Sequence, residues 1–120
     1  MSLRAIRGAT RLEANDADEM AEAVAELLGA IIERNRLDSD AMISIILTAT
    51  QDLTCAFPAA GARAFGLVDV PLLCAQEINV AGALEKVVRV LVHVDTDVPR
   101  ADIQHVYLRG AEVLRQDLIQ

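Results

Sequence analysis

The run Lys86-Val87-Val88-Arg89-Val90-Leu91-Val92-His93-Val94 decides how the rest of the chain reads. Its β-branched residues and strict alternation mark a strand, because successive side chains of a strand point to opposite faces. Val88, Val90, Val92 and Val94 share one face, while Val87, Arg89, Leu91 and His93 share the other. A guanidinium in the middle of such a strand has poor access to bulk water. Left unpaired it would cost several kcal/mol, so Arg89 calls for an anion. That anion is either an Asp or Glu of the chain, the commoner case, or a ligand.

Outward from this strand, residues 2–8 read as a short opening strand in which Arg4 and Arg7 fall on opposite faces. One of the two can enter a pocket, and alternation does not say which. Asn15 and Asp16 offer an N-cap, with Glu19 placed as in a capping box, so a helix is expected over 17–35. Met20, Val24, Leu27, Leu28 and Ile31 form its buried stripe. Residues 42–49 are a β-branched core strand and 51–54 a loop. Pro58 opens a short helix that Gly66 stops. A third strand is expected over 69–74, a turn over 79–83, a single helical turn from Pro99 to Ile103, a last strand over 105–114 and a mobile tail over 116–120. The pattern gives an α+β fold, a single domain over residues 1–120 with a mixed β-sheet and helices packed on one face.

Hydrophobic residues make up 53% of the 120, yet Phe57, Phe65 and Tyr107 are the only aromatics. An apolar surplus in so short a chain hints at subunit interfaces. The net charge of −7 argues against nucleic acid, since no basic stripe is present. Ten of the eleven basic residues are Arg, the side chain that grips carboxylates with two parallel hydrogen bonds. No apolar run approaches the roughly 20 residues of a membrane span, and the first residues do not read as a signal peptide. Cys55 and Cys74 show neither metal spacing nor a disulfide framework, so a reducing cytoplasm is expected.

Chemistry-bearing residues are few. Cys74 and Glu77 stand three apart, on opposite faces if the third strand continues and together if a helical turn begins near Ala75. Cys74 is otherwise a small core hydrophobe, Tyr107 a packed strand residue, and Arg63 a solvated helix charge. His93 and His105 lack ligand spacing, and there is no phosphate loop, nucleophile elbow or Ser/Cys nucleophile with an identifiable base. The expectation is no metal and no cofactor, with any catalysis arising from positioned positive charge.

Ile6-Arg7-Gly8-Ala9-Thr10, Ala49-Thr50-Gln51-Asp52-Leu53 through Phe57-Pro58-Ala59, Cys74-Ala75-Gln76-Glu77, Arg89-Val90 leading to Thr96-Asp97-Val98-Pro99, and His105-Val106-Tyr107-Leu108 leading to Val113-Leu114-Arg115 follow one another in order. In these stretches the chain resembles the small monofunctional chorismate mutases of the trimeric pseudo-α/β-barrel class, from about Leu3 to Leu118. The resemblance implies a cytoplasmic homotrimer with active sites between subunits, converting chorismate to prephenate for phenylalanine and tyrosine synthesis. It implies that Arg89 lies beside the ether oxygen, that Arg7 grips a carboxylate with help from Tyr107, and that Cys74 and Glu77 meet the ring hydroxyl. Phe57, Ala59 and Arg63 would come from the neighbouring subunit, Leu72 and Leu73 would line the pocket, and Arg115 would close over it. The chain departs from the family pattern at Ala60, commonly Lys, and at Leu73, commonly Thr. Two other readings fit the arginines: a non-catalytic trimer that binds a carboxylate metabolite, and an enamine deaminase of similar trimeric fold.

Overall fold

The computed structural model describes residues 2–118, apart from the side chains of Ser39 and of residues 115–118. Five strands, β1 (Ser2–Arg11), β2 (Met42–Ala49), β3 (Leu72–Gln76), β4 (Val87–Thr96) and β5 (Val106–Tyr107), form one sheet in the order β3-β2-β4-β1-β5. β4, which holds the valine run, is therefore the central strand of the sheet. β4 runs antiparallel to β1 and β2, while β3 is parallel to β2 and β5 to β1, so the sheet is mixed as expected.

Helices α1 (Ala17–Arg34) and α2 (Pro58–Phe65) pack on one face of this sheet. Val88, Val90, Val92 and Val94 are buried there against Met20, Val24, Leu27, Leu28 and Ile31 of α1, joined by Ile6, Ile45 and Leu47. A Cβ at Gly8 would stand 2.9 Å from Ile31 Cδ1 and 3.2 Å from Leu27 Cδ1, so β1 lies close against the helix only because this position lacks a side chain.

Asp16 caps α1 by accepting the amide of Glu19 at 2.8 Å, a contact of about 1 kcal/mol. Glu19 reaches back as a capping-box residue does, but accepts from the amides of Glu13 and Ala14 instead of Asp16. Gly66 ends α2 at φ 121°, where a Cβ would be strained.

Three strand expectations need correction: β1 is the first, since it runs past the expected end at residue 8 to Arg11, which still pairs with Val87 of β4. β3 begins at Leu72, not at residue 69, because Pro71 has no amide to donate and contributes only its carbonyl, which accepts from Ile45. It then runs on to Gln76, and the amide of Glu77 still donates to Ala49. The last strand is two residues long, because Arg109 (φ 55°) and Gly110 (φ 89°) turn the chain through the left-handed region. Beyond them Ala111–Leu118 is a 3-10 segment. Arg109 is tied to α1 by Glu26 at 2.9 Å and Glu22 at 3.4 Å, and the hydrogen bond it donates to Glu26 leads in raising its pKa above the usual arginine value. Of the tail expected to be mobile, residues 116–118 belong to this 3-10 segment, and 119 and 120 lie outside the described residues.

Candidate active site

Strand register sorts the side chains by face, since paired Cα positions carry side chains on the same side. One row across the sheet reads Tyr107, Ala9, Arg89, Thr48, Ala75, and the next reads Arg7, Leu91, Ile46, Leu73. Both rows lie on the face opposite the helices. Arg89 is accordingly not sealed off from water: its side chain is 46% exposed, because α1 and α2 cover only the other side.

Arg89 has found an anion. Its Nε stands 3.1 Å from Oε2 of Glu77, whose side chain is 16% exposed. The same Oε2 accepts a hydrogen bond from Thr48 Oγ1 at 2.6 Å. Thr48 and Arg89 are paired positions on β2 and β4, so the hydroxyl fixes the carboxylate and the carboxylate fixes the guanidinium. A pair this open contributes about 0–1 kcal/mol to stability, too little to explain why a cation sits in this strand. The pair borders a hollow of about 570 Å³ whose wall includes Thr50, Asp52, Ile78 and Val80, within the range of small-molecule sites.

Thr48 escaped sequence reasoning. Its place in the β2 alternation, with Ser44 and Ile46, was the available signal, but its role depends on lying opposite Arg89. Arg7 is the arginine of β1 that faces this side, whereas Arg4 turns the other way at the strand end and donates from Nε to the carbonyl of Val98. Arg7 Nε is buried without a hydrogen-bond partner among the described residues. Tyr107 shares the face.

Other candidates stand elsewhere in the single chain. Because β3 continues past Cys74, no helical turn brings Cys74 to Glu77. Cys74 pairs with the buried Leu47, packs against the core and borders a separate hollow of about 630 Å³ with Cys55, Phe57 and Ala60. Leu72 shares the helix side with Ile45, while Leu73 faces outward and is 63% exposed. Phe57 is 72% exposed at the start of α2, Arg63 is exposed on that helix, and the Ala59 methyl is buried in the core, leaving only its backbone to offer a neighbour. Arg115 falls within the 3-10 segment, and its side chain lies outside the described residues. Among the described residues, no cluster of His, Cys, Asp and Glu could hold a metal, and no helix is long and apolar enough to cross a membrane.

The family model for chorismate mutase type I matches residues 3–118. The chain belongs to that family. Two chorismate mutases named AroH are similar to it throughout: that of Bacillus subtilis (strain 168) is 43% identical over 119 residues, covering 98% of this chain and 94% of the relative. That of Thermus thermophilus is 44% identical over 117 residues, covering 97% and 96%. A solved chorismate mutase from Clostridium thermocellum superposes with a TM-score of 0.89 at 50% identity, covering 92% of this chain and 98% of that one. The type I mutase match takes in all five strands, so the outward face with Arg7, Glu77, Arg89 and Tyr107 lies wholly inside it.

Proposed function

We propose that the protein is a chorismate mutase that rearranges chorismate to prephenate on the outward face of its sheet, in the synthesis of phenylalanine and tyrosine. The observation that carries this is the Arg89 guanidinium, held through Nε by a carboxylate that Thr48 fixes in turn, and half-exposed at the wall of a ligand-sized hollow. The rearrangement is a concerted Claisen shift: the ether carbon–oxygen bond breaks as a carbon–carbon bond forms, with no nucleophile, base, metal or cofactor required. Negative charge grows on the ether oxygen as its bond lengthens. The terminal nitrogens of Arg89 are the donors offered there, already oriented, so they favour the transition state over the ground state.

An acceleration of about 10⁶ corresponds to roughly 8 kcal/mol. One aimed donor supplies about 3–4 kcal/mol of it, and holding the enolpyruvyl arm folded over the ring supplies much of the rest. Arg7, whose buried Nε has no partner among the described residues, grips a carboxylate of the dianion beside Tyr107, and Glu77 meets the ring hydroxyl.

The working unit is a homotrimer of the single domain 1–120, built as a pseudo-α/β barrel with sites between subunits. Support comes from the uncovered sheet face, with Ile46, Leu73 and Leu91 on it, and from Phe57 standing out from α2. Phe57, Arg63 and the backbone at Ala59 wall the neighbour's pocket, Leu72, Leu73 and Cys74 line it at the edge of β3, and Arg115 closes it. Two free thiols, Cys55 and Cys74, suit a cytoplasmic location. The test is direct: incubation with chorismate depletes its ultraviolet absorbance and yields prephenate. Tight chorismate binding without turnover would instead make the protein a carboxylate-metabolite sensor.

A further inference from the structure

His105 and Asn35 have no part in the chemistry above, yet His105 bonds the backbone of Arg7 and Asn35 bonds the residue that precedes His105. β5 pairs with β1 at only two positions, Gly8 with Val106 and Ala9 with Tyr107. Past Tyr107 the ladder closes with the Leu108 amide donating to the Ala9 carbonyl at 2.9 Å. At its other end the Arg7 amide meets a side chain in place of a backbone carbonyl: it donates to Nδ1 of His105 at 3.0 Å. An amide can only donate, so Nδ1 carries the lone pair and the ring proton sits on Nε2.

His105 is held in turn. The amide of Gln104 donates to Asn35 Oδ1 at 2.8 Å, and Asn35 Nδ2 donates to the carbonyls of Gln104 at 2.9 Å and Ile31 at 3.0 Å. Asn35 is 4% exposed, a buried amide at the end of α1 that ties the last turn of the helix, at Ile31, to Gln104. A continuous chain of hydrogen bonds thus runs from α1 through residues 104 and 105 to the backbone of Arg7.

We infer that His105 is a positioning residue for Arg7, fixing through Nδ1 the stretch of β1 from which the guanidinium reaches the substrate carboxylate, with Asn35 anchoring His105. This rests on the reading of Arg7 as that carboxylate's grip. Because Arg7 Nε has no protein partner among the described residues, its aim depends on its backbone and packing. A two-point grip on a carboxylate tolerates little displacement. A carboxylate is bound alike in ground and transition states, so losing the aim raises KM and spares kcat.

His105→Leu, which keeps bulk and removes the acceptor, raises KM for chorismate about tenfold with kcat within about twofold. His105→Asn places an acceptor near the position of Nδ1 and returns KM to within about threefold of the parent. In an Arg7→Ala background, where KM is already raised, His105→Leu adds nothing further. An unchanged KM in His105→Leu, or no recovery in a folded His105→Asn, overturns the assignment. An unchanged KM in Arg7→Ala overturns the grip itself, and the inference with it. Should His105→Leu not fold, the ¹⁵N spectrum of the parent's imidazoles decides: an unprotonated Nδ1 coupled to the Arg7 amide supports the role, and a protonated Nδ1 ends it.

Discussion

On the proposed mechanism Arg89 carries two obligations at once, a counter-ion within the chain and a substrate oxygen. Its Nε is taken by Glu77, which satisfies the demand for a counter-ion that the strand pattern raised. The sequence posed a choice between a structural ion pair and a ligand, and the two turn out to be compatible. The acid lies beside the hollow, and it orients the guanidinium without enclosing it. Arg89→Ala lowers kcat by about 10² or more while the oligomer and fold persist, as read by steady-state kinetics and size-exclusion chromatography with light scattering. Ala60 makes a separate prediction. Ala60 borders the hollow with Phe57 and Cys74, and on the proposed assembly a Lys there would add a cation beside the neighbour's pocket, so Ala60→Lys lowers KM for chorismate with little change in kcat. An unchanged KM would remove that residue from the account.

At the scale of elements, legibility followed how local each signal is. The α1 stripe, its Asp16 cap and the β4 valines are set by spacing within one segment, and all stand where the sequence puts them. β3 slipped because its bounds depend on pairing with β2: Pro71 delays the ladder, and Ala49 extends it by accepting from Glu77. That same extension sent Cys74 and Glu77 to opposite faces, which spacing alone left open. β5 is shorter than the sequence suggests because Arg109 adopts positive φ, and the Arg109 side chain bonds Glu22 and Glu26, partners over 80 positions distant. Thr48 was invisible for a like reason, since its meaning lies across the sheet. Gly8 tests the packing that holds the site face in place. Gly8→Ala pushes a methyl into Ile31 and Leu27 and lowers stability by about 1–3 kcal/mol, measured by denaturant unfolding at fixed protein concentration. A neutral result would mean that β1 and α1 can separate freely.

The whole molecule is a sheet with one face closed by helices and one left for something else. A single chain gathers Arg7, Glu77, Arg89 and Tyr107 on that second face but leaves Phe57 and Arg63 on a different surface. If both sets belong to one pocket, they must come from two copies, and cyclic assembly supplies each copy's surface to its neighbour. Co-expression of Arg89→Ala and Arg63→Glu subunits, each nearly inactive alone, tests this arrangement. In random 1:1 assemblies of the proposed trimer about one site in four joins an intact Arg89 to an intact Arg63. The mixture recovers about a quarter of the parent chorismate mutase activity if the pocket is shared; activity equal to the mean of the two variants rules the shared pocket out.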